Sequence, residues 1–263
     1  MNTVEKNKLH DLKISGSGTS GGGLFDEVKI SGSGKIAGDV DCREMKISGS
    51  GTVAGNVKSG LIKTSGSSTI EGDTKAETIT TSGSSKYDGS VMASEMNISG
   101  SSKVTRDLIV EKFKISGSCK IGGKIQGGSI KASGSLRVDQ DCEVETFSSS
   151  GSVHIDGLLN ADKVHIEINH ESSIKEIGGE KISVTHHSSN GLIKQVVNFL
   201  LQKEDYLFSD LIEGDEVYLE NTKAKLVRGK NVVIREHCVI DTVEYSGTLD
   251  VHKDSTILKK VKI

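Results

Sequence analysis

The amino-acid sequence predicts an all-β protein, a single-stranded parallel β-helix or solenoid wound in 17-residue coils, and three observations predict it. The tripeptide Ser-Gly-Ser follows Ile14, Ile30, Ile47, Thr64, Thr81, Ile98, Ile115, Ala132 and Ser149, a spacing of 16 once and of 17 seven times thereafter. A fixed period of this length is the mark of a repeat architecture. Between the tripeptides, apolar and polar residues alternate with the two-residue period of a strand that buries one face. The composition also lacks what a rounded core needs: 3% of residues are aromatic, Trp and Pro are absent, and Gly occurs 31 times in 263 residues. The interior must then be narrow and built from Ile, Val, Leu and small side chains.

Residues 1–13 form a polar lead-in. They contain no apolar segment of the secretory type, and no apolar run of about 18 residues occurs in the chain. A cytoplasmic protein without a transmembrane segment is therefore expected.

The array of nine repeats starts at Ile14. With the residue before Ser-Gly-Ser as position 1, position 7 reads Ile36, Val53, Ile70, Tyr87, Val104, Ile121, Val138 and Ile155 from the second repeat on. Position 11 reads Val40, Val57, Thr74, Val91, Leu108, Ile125, Cys142 and Leu159, and position 16 is equally apolar, from Met45 to Val164. Position 13 is small or apolar, as at Cys42, Ala76 and Val110. Each repeat thus holds three short alternating stretches, separated near positions 8 to 10 and 14 to 15. Such strands cannot stand alone, but stacking each on its equivalent one period away satisfies the backbone and makes a continuous core. Gly fills position 3 in all nine repeats, which predicts a corner where two walls approach closely. The flanking serines are expected to stack as hydroxyl ladders. At position 9, Gly38, Gly55 and Gly72 suit a corner with unusual dihedrals, although Arg106 and Gln140 interrupt that column. Thr64, Thr74 and Thr81 stand where neighbouring coils carry Ile or Val, so each buried hydroxyl needs a partner.

Ile166, Ile168, Ile174, Ile177, Ile182 and Val184 extend the β pattern without Ser-Gly-Ser, which adds one irregular coil and carries the β-helix over 14–184. Residues 185–212 read as an insert or linker with a short helix near 191–203. Asn190 serves as its start signal, and Leu192, Ile193, Val196, Val197, Leu200 and Leu201 follow helical spacing. Leu192, Val196 and Leu200 are its candidate contact residues, facing either the rod itself or a partner. Peripheral contact through such a helix is the membrane association for which the sequence leaves room. Residues 213–263 read as C-terminal β coils: Val217, Ile234 and Val251 are spaced by 17, as are Leu226 and Val243, which predicts about three coils of unchanged circumference.

The residues give chemistry little purchase. A net charge of −3, from 33 basic and 36 acidic residues, offers no general attraction for nucleic acid. Cys42, Cys119, Cys142 and Cys238 form no CxxC pair, and the first three fall in inward columns, as small buried hydrophobes do. His186-His187 and His237-Cys238 are adjacent pairs, which a strand points to opposite faces, so no metal site is expected. Gly16-Ser-Gly-Thr-Ser-Gly21 lacks the lysine and following helix of a phosphate loop, and no serine sits on a nucleophile elbow. No catalytic residue and no cofactor are assigned. One surface feature stands out: position 17 carries Lys29, Lys46, Lys63, Lys114 and Lys131, with Thr80 and Asn97 interrupting. Stacked lysines repel mildly, and Glu44, Glu77, Glu95, Glu111 and Glu145 at positions 14 and 15 are placed to offset them. The stripe is either a solvated face that discourages lateral aggregation or a surface for an anionic partner.

The Ile-Ser-Gly-Ser-Gly units and the turns Lys35-Ile-Ala-Gly38 and Lys120-Ile-Gly-Gly123 resemble the bactofilins, bacterial polymer-forming cytoskeletal proteins. The stretch from Ile212 to Ala224, with Val243-Glu-Tyr245, resembles longer bactofilin-like proteins of Gram-positive bacteria. The resemblance covers most of the chain. It implies a right-handed, triangular β-helix that joins end to end into filaments without nucleotide, with envelope or motility proteins as further partners. The chain departs from the family in showing neither Pro-rich tails nor an N-terminal membrane-binding peptide. Unpaired strand edges at the two end coils call for association independently, since they must be capped or paired. The expectation is a non-enzymatic scaffold whose first partner is itself. The alternative is a hexapeptide-type β-helix acyltransferase, but that fold repeats apolar residues every six positions with a period near 18.

Overall fold

A computed structural model describes residues 9–186 and 205–263. Among these residues there are 21 β-strands and no helix, and they fall into two compact units that meet in sequence at Gly123 and Lys124. Each unit is a parallel β-solenoid.

In the first unit the repeat dictates the coil. A four-residue strand covers positions 4 to 7, as in Ser50–Val53, Ser67–Ile70 and Ser84–Tyr87. An eight-residue strand runs from position 11 to position 1 of the next repeat, as in Val57–Thr64, Thr74–Thr81 and Val91–Ile98. Every residue pairs with its equivalent 17 residues on: Ser50 with Ser67, Ile62 with Ile79, Met96 with Phe113. The corners are pinned the same way, with the Ser65 N–H donating to the Ile47 carbonyl at 2.9 Å and the Ser67 N–H to that of Gly49 at 2.8 Å.

Positions 1, 5, 7, 11, 13 and 16 face inward. Ile30, Ile36, Met45, Val53, Ile79, Tyr87, Met96 and Leu108 are fully enclosed. In the long strands positions 14 and 15 both face out, which interrupts the alternation and turns the chain onto a third wall. A core this narrow accepts one side chain per column per coil, which is why branched aliphatics dominate it.

The glycines have a different reason from the expected one. Position 3 does not face the interior. A methyl group on Gly49, Gly66, Gly83 or Gly100 would overlap the carbonyl oxygen of the glycine one coil before, so the constraint is contact between stacked backbones. At position 9, Gly55, Gly72 and Gly89 are held likewise by the backbone and Asx side chains of the preceding coil, and Gly38, at φ 144°, is the one that uses a left-handed conformation. The serines of positions 2 and 4 stack in register but stay exposed, and Ser99 to Ser82, at 3.5 Å, is a rare hydrogen bond between them.

The second unit keeps the period through Cys142 and Leu159, which are paired, and then departs from it. Ile155 pairs with Ile174, 19 residues on, and Ile166 with Val184, 18 on, across a bulge between Ile155 and Leu158. Val184 pairs with Leu219, 35 residues on; residues 187–204 fall in that interval, so the predicted helix near 191–203 lies outside the described residues. The strand Leu207–Leu219 begins inside the stretch assigned to the linker, so residues 207–212 belong to the β-solenoid.

The predicted C-terminal spacing needs correction. Val217 pairs with Val232, and Leu219 with Ile234, so that coil has 15 residues; only Ile234 to Val251 is a true step of 17. Val243 stacks on Val227, while Leu226 pairs with Thr242. Two inward residues separated by one outward residue are equivalent to the eye, and the shortened coil converted that ambiguity into an apparent 17.

Candidate interaction surfaces

The lysine column forms on the first unit because position 17 lies between two inward positions and must face out. Lys29, Lys46 and Lys63 are in register, followed by Thr80, Asn97 and Lys114. Lys131 is exposed on the second unit. The carboxylates of position 15 meet this column. Lys46 is bracketed by Glu44 at 2.9 Å and Glu27 at 3.3 Å, and Lys114 lies 3.8 Å from Glu95. The Lys46 hydrogen bond, helped by the charges of Lys46, Arg43 and Lys63, holds the Glu44 carboxyl below its usual value. The stripe is therefore partly neutralised, and Lys29 and Lys63 are its exposed members. Candidate contact residues Leu192, Val196 and Leu200 lie outside the described residues.

The four thiols are buried. Burial pushes Cys119 and Cys142 up to about 12 and Cys238 to about 11, and raises Cys42. Such groups stay protonated at neutral pH and are neither nucleophiles nor metal ligands. Among the described residues no group of three or more His, Cys, Asp or Glu is arranged to hold a metal ion, and no helix is long and apolar enough to cross a membrane.

Two grooves were not anticipated. One, of about 580 Å³ on the first unit, is rimmed by Leu24, Met92 and Ile109. Its floor is an Asx ladder: the N–H groups of Asn56, Asp73 and Ser90 donate to the side-chain oxygens of Asp39, Asn56 and Asp73 at 2.7, 2.8 and 2.8 Å. Leu24, Met92 and Ile109 are 66%, 42% and 43% exposed. An apolar Met92 and Ile109 in the outward column that elsewhere carries Asp41, Lys58 and Lys75 was a visible signal. The other groove, of about 790 Å³ on the second unit, runs over Gly179, Gly214 and Gly229, which stack in register, with Glu213 and Arg228 beside them. Arg228 binds Glu244 at 2.8 Å and Glu213 at 3.1 Å. Lys223 lies 3.9 Å above the Tyr206 ring, next to the exposed Phe208.

The end coils differ. The strand Leu12–Ile14 covers only Val28 to Ile30, with the Asp26 N–H reaching the His10 carbonyl at 3.0 Å, so the outer edge from Ser15 to Phe25 is open among the described residues. At the other end Thr256–Lys262 covers Val239 to Tyr245. There Lys260 takes the column of Val227 and Val243, both fully buried, and Lys262 takes the column of Gly229 and Tyr245.

No family model matches the chain, and no solved structure matches it. It is similar to uncharacterized protein YhbF of Bacillus subtilis (strain 168), 40% identical over 108 residues, which are 41% of this chain and 42% of that protein. Uncharacterized protein YhbE of the same organism is 40% identical over 109 residues, 41% of this chain and 44% of the relative. The match spans less than half the length of each relative.

Proposed function

We propose that this chain is a non-enzymatic cytoplasmic scaffold that associates with copies of itself through the ends of its β-solenoid, as bactofilins do, without nucleotide. The observation that carries the reading is the open edge from Ser15 to Phe25. A row of unpaired backbone donors and acceptors next to the exposed Leu24 is a template for another strand. The buried, protonated thiols and the absence of a clustered set of ionisable ligands among the described residues agree with a structural role. A scaffold of this kind supports cell shape, envelope or motility assembly by holding partners on its long faces.

Sedimentation of the full chain over a wide concentration range, with negative-stain microscopy, tests the proposal. The expected result is a mass above that of the 27.9 kDa monomer, unchanged by added nucleotide. A monomer at every concentration, with no assemblies on the grid, overturns it.

A further inference from the structure

Resting on that reading, we infer that association closes at two copies, joined first coil to first coil about a two-fold axis, because the last coil carries lysines where a stacking partner would need apolar side chains. The inward columns of the first coil are occupied by Ile14, Gly18, Ser20, Gly23 and Phe25, all uncharged: each is in register with an inward residue of the next coil, such as Ser20 with Ile36 and Gly23 with Val40. Gly16 is the telling residue. Gly49, Gly66, Gly83 and Gly100 each receive the carbonyl of the preceding coil, yet nothing lies within 4 Å of the place a Gly16 side chain would take. The first coil keeps the shape of a surface on which more backbone is laid.

A two-fold axis across this end sets the facing edges antiparallel, so their free N–H and C=O groups can pair, and the same patch serves both copies. The step made by residues 10–14 above 26–30 then enters the notch left over 15–25 of the other copy. Leu24, 66% exposed in one copy, is covered in the process.

The last coil cannot do the same. Lys260 and Lys262 occupy inward columns and belong to a strand that also bears Lys259. Stacking this end on a first coil would drive Lys260 onto Gly23 with no carboxylate in that column, and stacking it on a second last coil would bring like charges together. Inward-pointing charge is a known means of closing a strand edge.

The test is the mass of the full chain by sedimentation equilibrium and light scattering. Wild type is expected at twice 27.9 kDa with no further growth at high concentration. Gly16→Val, which meets open space in the protomer, is expected to halve the mass while leaving circular dichroism and the urea midpoint unchanged. Leu24→Lys should do the same and decides the matter if the valine variant fails to fold. Replacing Lys260 and Lys262 together by Leu is expected to release growth beyond two copies. Filaments from wild type, or a dimer untouched by both first-coil variants, overturn the head-to-head arrangement while leaving self-association standing. A double lysine variant that stays dimeric overturns the role given to the last coil, and a wild-type monomer overturns this inference and the reading beneath it together.

Discussion

Ser68 donates its hydroxyl proton to Ser85, its equivalent one coil on, across 3.0 Å inside the closed core. Thr64 joins Ser68 at 3.2 Å and Thr81 joins Ser85 at 3.0 Å, so four hydroxyls form one buried chain. Their columns hold Ile, Gly and Cys elsewhere in the first unit. Ser68→Ala breaks the chain and is expected to cost about 1–3 kcal/mol, while removing all four hydroxyls at once by Ala and Val replacement is expected to be nearly neutral. Urea unfolding of the two variants side by side checks this, and equal losses would contradict it.

Thr74 presents the opposite case. Its hydroxyl is buried in the column between Val57 and Val91 and has no hydrogen-bond partner. Thr74→Val keeps the shape and removes an unsatisfied group, so it is expected to stabilise the protein by about 1–2 kcal/mol. A lowered urea midpoint would contradict the assignment.

The glycine column predicts a gradient along the chain. Gly83→Ala places a methyl group on the carbonyl of Gly66 and is expected to cost about 3 kcal/mol or more, since backbone must move, whereas Gly16→Ala meets nothing and is expected to change stability by less than about 0.5 kcal/mol. Thermal melts of the pair give the comparison directly.

The buried thiols fix the alkaline limb of stability. An unfolded chain releases its thiol protons near pH 9, while folded Cys119 and Cys142 keep theirs to about 12. Between those values the unfolded state binds fewer protons, so stability is intact below pH 9 and falls by about 1.4 kcal/mol per pH unit per thiol above it. Tyr87, pushed up to about 12 by burial, adds to the fall above pH 10. Replacing Cys119 and Cys142 by Ala should flatten the slope of the urea midpoint between pH 9 and 11, whatever it does to the midpoint itself.

Lys46 lies on the surface, and its removal should be nearly silent in stability. Lys46→Ala is expected to cost less than about 1 kcal/mol while returning the Glu44 carboxyl toward its ordinary range. Because that carboxyl is held low in the folded protein, the contribution exists at neutral pH and fades as the solution is acidified. Side-chain NMR titration of Glu44 follows it.

The fold of the array was legible because one strict period reports register directly: Ile62 over Ile79 can be read from the spacing alone. Burial at positions 1, 7, 11 and 16 followed from alternation. The reason for the position-3 glycines was not legible, since sequence shows that a side chain is missing but not which neighbour excludes it. The C-terminal coils misled because an alternating strand shifted by two residues keeps its inward face, so Val217 and Ile234 matched a period that the chain had abandoned. Of the surfaces, the lysine column was readable, but its partial neutralisation by Glu27 and Glu44 depends on side-chain reach. The open first edge and the charged last coil emerged only once register showed which columns Gly23 and Lys260 occupy.

The contact between each position-3 glycine and the carbonyl one coil earlier gives the first unit a grammar of succession. Every winding completes a bed whose shape only the winding before it defines, and chains leave the ribosome from the N-terminus. A newly made coil therefore finds its template already laid, needs no contact with sequence still to be synthesised, and settles one period at a time. In such a molecule an error is local in space but sequential in effect: a single bulky residue at one bed withholds the template from everything translated after it.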